Sequence, residues 1–365
     1  MPAILAGFKA IQPKNQLDQD TISLWLSKIH SIATPETFDE RVLKRFAVKK
    51  ESIASRSFFN ADFGKMEFDV SKLFNQKNNF TPSHKERSLF YKNTTDELLE
   101  QFFKEEQEAP GEIIHVSCTG YVSPSAGQKI IPKMNWSDTT GLTHVYHMGC
   151  YAAMPAIKIA RGLSEKKRID IVHTEICSLH FDVLAQTPEQ TVVHTLFSDG
   201  AIKYSLYPDA PENFEGGGIS IFKLKEKIIP DSEEAMTWGI GDNSFQMTLH
   251  RTVPALIKEN LLKFSKDLFE ESGFNFEQEK DHTLFAIHPG GPKIIEQIMD
   301  LLKLDENQIR HSKEVLRERG NMSSATLPHV WDKIIQDPEV KAGTKIFSVA
   351  FGPGLTIAGF LGAKV

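Results

Sequence analysis

Three short segments put a reactive side chain where an apolar run gives way to a helical pattern. In Thr143-His144-Val145-Tyr146-His147-Met148-Gly149-Cys150-Tyr151-Ala152-Ala153 a strand pattern ends, Gly149 permits a tight turn, and Cys150 opens an alanine-rich helix. Backbone amides and the dipole at a helix start favour negative charge, so a thiol there can drop from about 8.5 to roughly 3.5–7.5. That is the setting of a nucleophile, with a packed core cysteine as the plainer account. Cys118 and Cys177 fall inside apparent strands, where packing is the better explanation. In Leu284-Phe285-Ala286-Ile287-His288-Pro289-Gly290-Gly291-Pro292-Lys293-Ile294, His288 ends a buried strand just before two glycines and a proline suited to a first helical position. The glycines let a substrate approach the backbone, but the segment lacks the GxxxxGK[ST] spacing of a phosphate loop. In Arg319-Gly320-Asn321-Met322-Ser323-Ser324-Ala325-Thr326, Gly320 can end one helix and Asn321 can cap the next. Beside a histidine, the same carboxamide would supply one arm of an oxyanion hole without ever titrating.

The elements around these junctions alternate. From Glu112 the chain reads EIIHVSC, a helix after Pro124, THVYHMG, a helix from Cys150 to Leu163, and IDIVHTEIC. After Gly216-Gly217-Gly218 a second series gives GISIFKL, a strand near Phe245 to Leu249, an amphipathic helix from Val253 to Glu271, and TLFAIHP. Helices after Pro292, Asn307 and Asn321 and a closing strand pair complete it. The alternation predicts an α/β layer structure whose apolar strands are buried on both faces. The likeness in layout predicts two similar halves, 1–215 carrying the cysteine and 216–365 carrying the histidine and the asparagine. The N-terminal hundred residues read as charged and mostly helical, with Thr94-Thr95-Asp96-Glu97 announcing a helix that stops at Pro110-Gly111.

Composition narrows the function. The 365 residues carry 42 Lys and Arg against 48 Asp and Glu, a formal charge of −6, and 40% hydrophobic residues. That content excludes disorder and coiled coil, and scattered cations without a positive stripe argue against nucleic acid. Three cysteines without a CxxC pair indicate neither a disulfide framework nor a metal site. The uncharged run from Ile346 to Ala363 approaches membrane-spanning length, yet Gly352-Pro353-Gly354 at its centre favours two buried strands and a turn. The apolar N-terminus has no basic region before it, so a cytoplasmic location is expected.

Taken together, GCYAA at 149–153, HPGGPK at 288–293, GNMSSAT at 320–326 and FGPGLT at 351–356 resemble the type III polyketide synthases, the chalcone synthase-like branch of the thiolase-fold condensing enzymes. The resemblance implies a thiolase-like five-layered αβαβα fold, a homodimer, and a catalytic triad at Cys150, His288 and Asn321. It implies decarboxylative condensation of malonyl-CoA onto an acyl-CoA starter, without metal or organic cofactor. Phe197 corresponds to the family's gate between CoA tunnel and cavity, and Thr119, Ser123, Cys177, His180 and Pro353 to cavity positions. Lys44, Arg45 and Arg56, with Gly290, Gly291 and Lys293, correspond to CoA contacts. A ketoacyl synthase performing a single condensation, or a non-catalytic partner subunit of the same fold, are the other readings.

Overall fold

The computed structural model describes residues 3–164, 167–208 and 217–365. Among them, nine strands form one mixed sheet in the order Gly141–Tyr146, Glu112–Ser117, Ile169–Ile176, Asp199–Tyr207, Ile4–Ile11, Ile219–Ile228, Thr356–Lys364, Lys345–Gly352, Thr283–Ile287. The pairing repeats outward from the middle. On one side Ile4–Ile11 is antiparallel to Asp199–Tyr207, which is antiparallel to Ile169–Ile176, which runs parallel to Glu112–Ser117. On the other side Ile219–Ile228 is antiparallel to Thr356–Lys364, which is antiparallel to Lys345–Gly352, which runs parallel to Thr283–Ile287. Ile4 with Ser220 and Leu5 with Ile219 join the two halves. The expected division at 215/216 lies outside the described residues.

Helices fill the space between and outside these halves. Helix Ala153–Leu163 is the middle layer with Thr326–Gln336. Its Ala153, Ala156 and Ala160 share one core with Ile114, Val116 and Ile171 from one side and with Ile346, Ala350 and Phe360 from the other. Small side chains on that helix let both halves of the sheet close on it at interior packing density. Ile257, Leu261 and Phe264 of Val253–Glu271, with Ile295 and Ile298 of Pro292–Leu302, cover Phe285, Phe347 and Val349 on the outer C-terminal face. Leu98 and Phe102 of His84–Phe103, with Ile130 of Ala126–Lys133, cover Ile113, Val172 and Ala201 on the outer N-terminal face. The layers are therefore αβαβα, the thiolase-like arrangement.

Three local expectations change. The strand Ile4–Ile11 occupies the middle of the sheet, within a region whose pattern reads as helical. A short apolar run such as Ile4-Leu5-Ala6 carries too little periodicity to announce a strand. The helix expected to start at Thr94-Thr95 starts at His84, where Ser83 and Glu86 form a reciprocal capping box, and it ends at Phe103. Thr95 instead points inward and donates its hydroxyl to the Tyr91 carbonyl at 2.9 Å. Cys118 and Cys177 lie just past strand ends, and Cys177 opens a 3-10 turn, Cys177–His180. The run from Ile346 forms the antiparallel pair Lys345–Gly352 and Thr356–Lys364, and no described helix is long and apolar enough to cross a membrane.

Candidate active site

Cys150 is delivered by a sharp turn after the strand Gly141–Tyr146. His147 and Gly149 both take positive φ, 61° and 73°, and Gly149-Cys150-Tyr151 form a 3-10 turn leading into Ala153–Leu163. A Cβ on Gly149 would lie 2.5 Å from Pro353 Cδ, so the glycine also admits the loop that follows Lys345–Gly352. The Cys150 sulfur stands 4.0 Å from Ser323 Oγ.

His288 follows Thr283–Ile287 and is pinned through its backbone, its N–H donating to the Val349 carbonyl at 2.8 Å. Gly290 N–H turns back onto the His288 carbonyl, also at 2.8 Å. Both ring nitrogens are buried and without a partner. Buried polar atoms are rarely left so, and His288 lines a cavity.

Asn321 is oriented by its own loop. Its Oδ1 accepts from Ser323 N–H at 2.8 Å and from the Thr326 hydroxyl at 3.2 Å. The oxygen is thus engaged inward, which leaves Nδ2 as the end able to donate elsewhere. Gly320 before it takes φ 71° and lies against Arg56, whose Cγ would be 2.9 Å from an added Cβ.

The three residues line one cavity with Phe197, Val193, Met247 and Ile257. A second chamber lies beyond and is lined by Cys118, Thr119, Cys177, His180, Phe181, Trp238, Phe245 and Pro353. Cys150 and Phe197 belong to both linings, so the sulfur and the phenyl ring stand where the chambers meet.

Burial dominates the titration of the sulfur and the imidazole. It pushes the Cys150 thiol up to about 12, against hydrogen bonds from Ser323 and Asn321, and the His288 imidazole down to about 3. The free site therefore holds a neutral thiol and a neutral imidazole. The depressed thiol expected from a helix start does not materialise, because Cys150 precedes the α-helix on a 3-10 turn and is almost wholly desolvated. A helix terminus contributes at most about 2 kcal/mol, less than that desolvation.

Several expected positions need correction. Arg56 is 1% exposed and cannot meet a phosphate at the surface. Its guanidinium donates to Gln19 Oε1 and to the carbonyls of His194 and Phe197. Ser123 is exposed and lines neither chamber. Gly290 lines the outer chamber, whereas Gly291 and the exposed Lys293 do not. Lys44 and Arg45 are exposed on helix Glu40–Phe46, Lys44 paired with Glu40 at 3.1 Å. Thr119 and His180 do line the inner chamber, but as structure. The Thr119 hydroxyl donates to Glu175 and accepts from Ile176 N–H. His180 bonds the Thr119 carbonyl through Nε2 and accepts from Phe245 N–H at Nδ1.

Sequence reasoning passed over Glu175 and Arg251. Glu175 is wholly buried and accepts from Cys118 N–H at 3.0 Å, from Thr119 and from Ser324. Burial raises its carboxyl to about 7. Its signal was an acidic residue in a strand expected to be buried on both faces. His250 and Arg251 are exposed and stand on the wall of the outer chamber, just before helix Val253–Glu271.

The chain is similar to known proteins in sequence and in fold. Residues 221–365 match the family model of the chalcone and stilbene synthases, C-terminal domain. The chain is 30% identical over 257 residues to the α-pyrone synthesis polyketide synthase-like Pks18 of Mycobacterium tuberculosis, covering 69% of this chain and 64% of that protein. It is 28% identical over 253 residues to the 1,3,6,8-tetrahydroxynaphthalene synthase of Streptomyces coelicolor, covering 68% and 65%. The match thus spans less than two thirds of the length of these relatives. The fold is similar to PKS-I from the brown alga Ectocarpus siliculosus, with a TM-score of 0.86, 22% identity, and 100% and 98% of the two chains covered. The crystal structure of the Streptomyces coelicolor synthase gives 0.82 at 21% identity over 99% of each chain. Residues 221–365 are thus similar to the chalcone and stilbene synthase C-terminal domain, and the chain as a whole is similar in fold to solved type III polyketide synthases.

Proposed function

We propose that this protein is an acyltransferase that loads an acyl-CoA starter on Cys150 and extends it by decarboxylative condensation with malonyl-CoA. The observation that carries this reading is the convergence of Cys150, His288 and Asn321 on one cavity, with the Asn321 oxygen engaged inward and both His288 nitrogens free. In loading, His288 takes the thiol proton as the Cys150 sulfur attacks the acyl-CoA carbonyl, and returns it to the departing CoA sulfur. Malonyl-CoA then binds with its thioester oxygen toward His288 N–H and Asn321 Nδ2. As CO2 leaves, the electron pair of the broken bond moves to that oxygen, and two fixed donors hold the enolate, each worth roughly 2.7–4 kcal/mol. The enolate carbon attacks the Cys150 thioester and expels the sulfur as thiolate, which is ready for the next transfer. Every bond in this sequence comes from the substrates and the three side chains, so the proposal invokes neither a metal nor an organic cofactor.

The inner chamber beyond Phe197 favours repeated extension, since an apolar chamber adjoining the nucleophile can receive a growing chain. Arg251 on the outer wall is the cation suited to the phosphates of CoA. Following the family resemblance, the active form is a homodimer in the cytoplasm. The test is incubation of the purified protein with labelled malonyl-CoA and short, long and aromatic acyl-CoAs, with product masses read out. Starters lengthened by two or more units, and no acyl adduct on Cys150→Ala, are expected. Normal turnover by Cys150→Ala would overturn the proposal, and products lengthened once would mark a single-condensation ketoacyl synthase.

A further inference from the structure

The inner chamber holds a buried cation that none of the steps above uses. Arg56 lies on the strand Ser55–Phe58 and is 1% exposed. Its Nε donates to Gln19 Oε1 at 3.0 Å, and its Nη1 to the carbonyls of His194 at 2.9 Å and Phe197 at 2.5 Å. Its Nη2 has no partner. Asp199, the acid whose charge reaches it, is already occupied by Phe59 N–H, Ser178 N–H and the Ser178 hydroxyl, all within 2.8 Å.

The rest of the chamber sharpens the contrast. Phe58, Phe63, Phe181, Met236 and Phe245 make its wall apolar. The polar groups of Thr119, His180, Ser178 and Trp238 are bonded within the protein. Among the described residues lining this chamber, Arg56 Nη2 is the buried polar atom without a partner. Leaving such a donor unmet costs roughly 1–3 kcal/mol, more for a charged group, and the penalty is relieved when a ligand oxygen arrives. Arginine is rarely buried without a paired acid unless it serves a site.

We propose that Arg56 Nη2 forms an oxyanion-accepting subsite in the inner chamber for the enol or enolate oxygen of a 1,3-dicarbonyl unit in the extended acyl chain. The inference rests on the chain-extension reading, because malonyl units are what bring 1,3-dicarbonyls into the chamber. A cationic donor in an apolar wall favours an oxygen that carries negative charge over a plain ketone. Because Nη1 holds the Phe197 carbonyl, the subsite adjoins the ring that separates the chambers.

The test is binding of nonane-2,4-dione and nonan-2-one, followed by Trp238 fluorescence and calorimetry. The expected result is at least tenfold tighter binding of the diketone by the native protein, falling below threefold in Arg56→Gln. Arg56→Gln loses backbone contacts and can fail to fold, so the native protein is also labelled with 15N-arginine. One buried guanidinium resonance should then shift with the diketone and not with the ketone. Equal binding of the two probes by the native protein overturns the subsite, as does an unchanged preference in an Arg56→Gln protein that melts normally. Tighter binding of nonanoate than of the diketone overturns the ligand class. Acyl loading of Cys150 with no diketone preference leaves the proposed function standing and removes the subsite; a diketone preference without loading does the reverse.

Discussion

Phe197 and Asn321 meet main chain to main chain across the two halves of the fold, in an isolated parallel bridge. Ser198 N–H donates to the Asn321 carbonyl at 2.8 Å, and Asn321 N–H donates to the Leu196 carbonyl at 3.0 Å. The ring between the chambers and the carboxamide in the outer one are therefore held by a single pair of bonds. Arg56 braces the same place by donating to the Phe197 carbonyl. A displacement of either chain is passed to the other.

Asn321→Asp isolates the donor. The carboxylate keeps its acceptance from Ser323 N–H and the Thr326 hydroxyl, while the Nδ2 donor becomes an oxygen. Release of CO2 from malonyl-CoA should fall about 10²–10³-fold, while acyl loading of Cys150 persists in the protein mass spectrum. Undiminished CO2 release would remove Asn321 from the reaction.

The neutral resting pair makes a prediction about alkylation. With the Cys150 thiol near 12, the thiolate fraction grows about tenfold per pH unit throughout the neutral range. The rate of Cys150 modification by iodoacetamide, read by peptide mapping, should rise about tenfold per pH unit, about a hundredfold from pH 7 to pH 9, without levelling. A rate already flat at pH 7 would mean that a thiolate–imidazolium pair exists in the free site.

Legibility in the sequence followed the range of the interactions. Helix Val253–Glu271 is readable because Ile257, Leu261, Phe264 and Leu268 recur at helical spacing on one buried face. Cys150, His288 and Asn321 are readable because each sits at a junction marked by glycine, and four short strings fix their order. The burial of Arg56 is not, because its partners are carbonyls at 194 and 197, supplied by an element far along the chain. The strand Ile4–Ile11 fails for the same reason, its place being set by Asp199–Tyr207 and Ile219–Ile228. The titration of Cys150 depends on how completely three layers exclude water, which no local pattern encodes.

Acid should unfold the protein above the carboxylate range. Burial lowers His30 to about 4 and His115, His173, His180 and His329 to about 3, from an unfolded value near 6.5. Between those values the unfolded chain binds more protons than the folded one. The stability these groups permit is complete above pH 6.5 and is lost as pH falls toward 3, by at most about 5 kcal/mol each. Glu175, raised to about 7, and Asp199, raised to about 6, act with the opposite sign, relieving strain as pH drops, but they are outnumbered. The melting temperature should therefore decline steeply below pH 6.5. His180→Gln, whose amide can serve both the Thr119 carbonyl and Phe245 N–H, should decline less steeply by one proton. Equal slopes would show that His180 takes up no proton on unfolding.

Two glycines beside the site should respond differently to alanine. At Gly149 the backbone is left-handed, φ 73°, and the new methyl would sit 2.5 Å from Pro353 Cδ, a ring atom with no rotamer to retreat into. Left-handed backbone costs an alanine about 1–2 kcal/mol and overpacking about 1–3 kcal/mol, so Gly149→Ala should lose about 2–5 kcal/mol in denaturant unfolding. It should also misplace Cys150 and fail to load acyl groups. At Gly290 the methyl would meet His288 Cδ2 at 3.6 Å and Nε2 at 3.9 Å, ordinary contact distances. Gly290→Ala should therefore melt close to the native protein, yet slow condensation by crowding the imidazole edge where the malonyl oxygen is to sit. If Gly290→Ala condenses at the native rate, the reacting oxygen does not approach His288 from the Gly290 side.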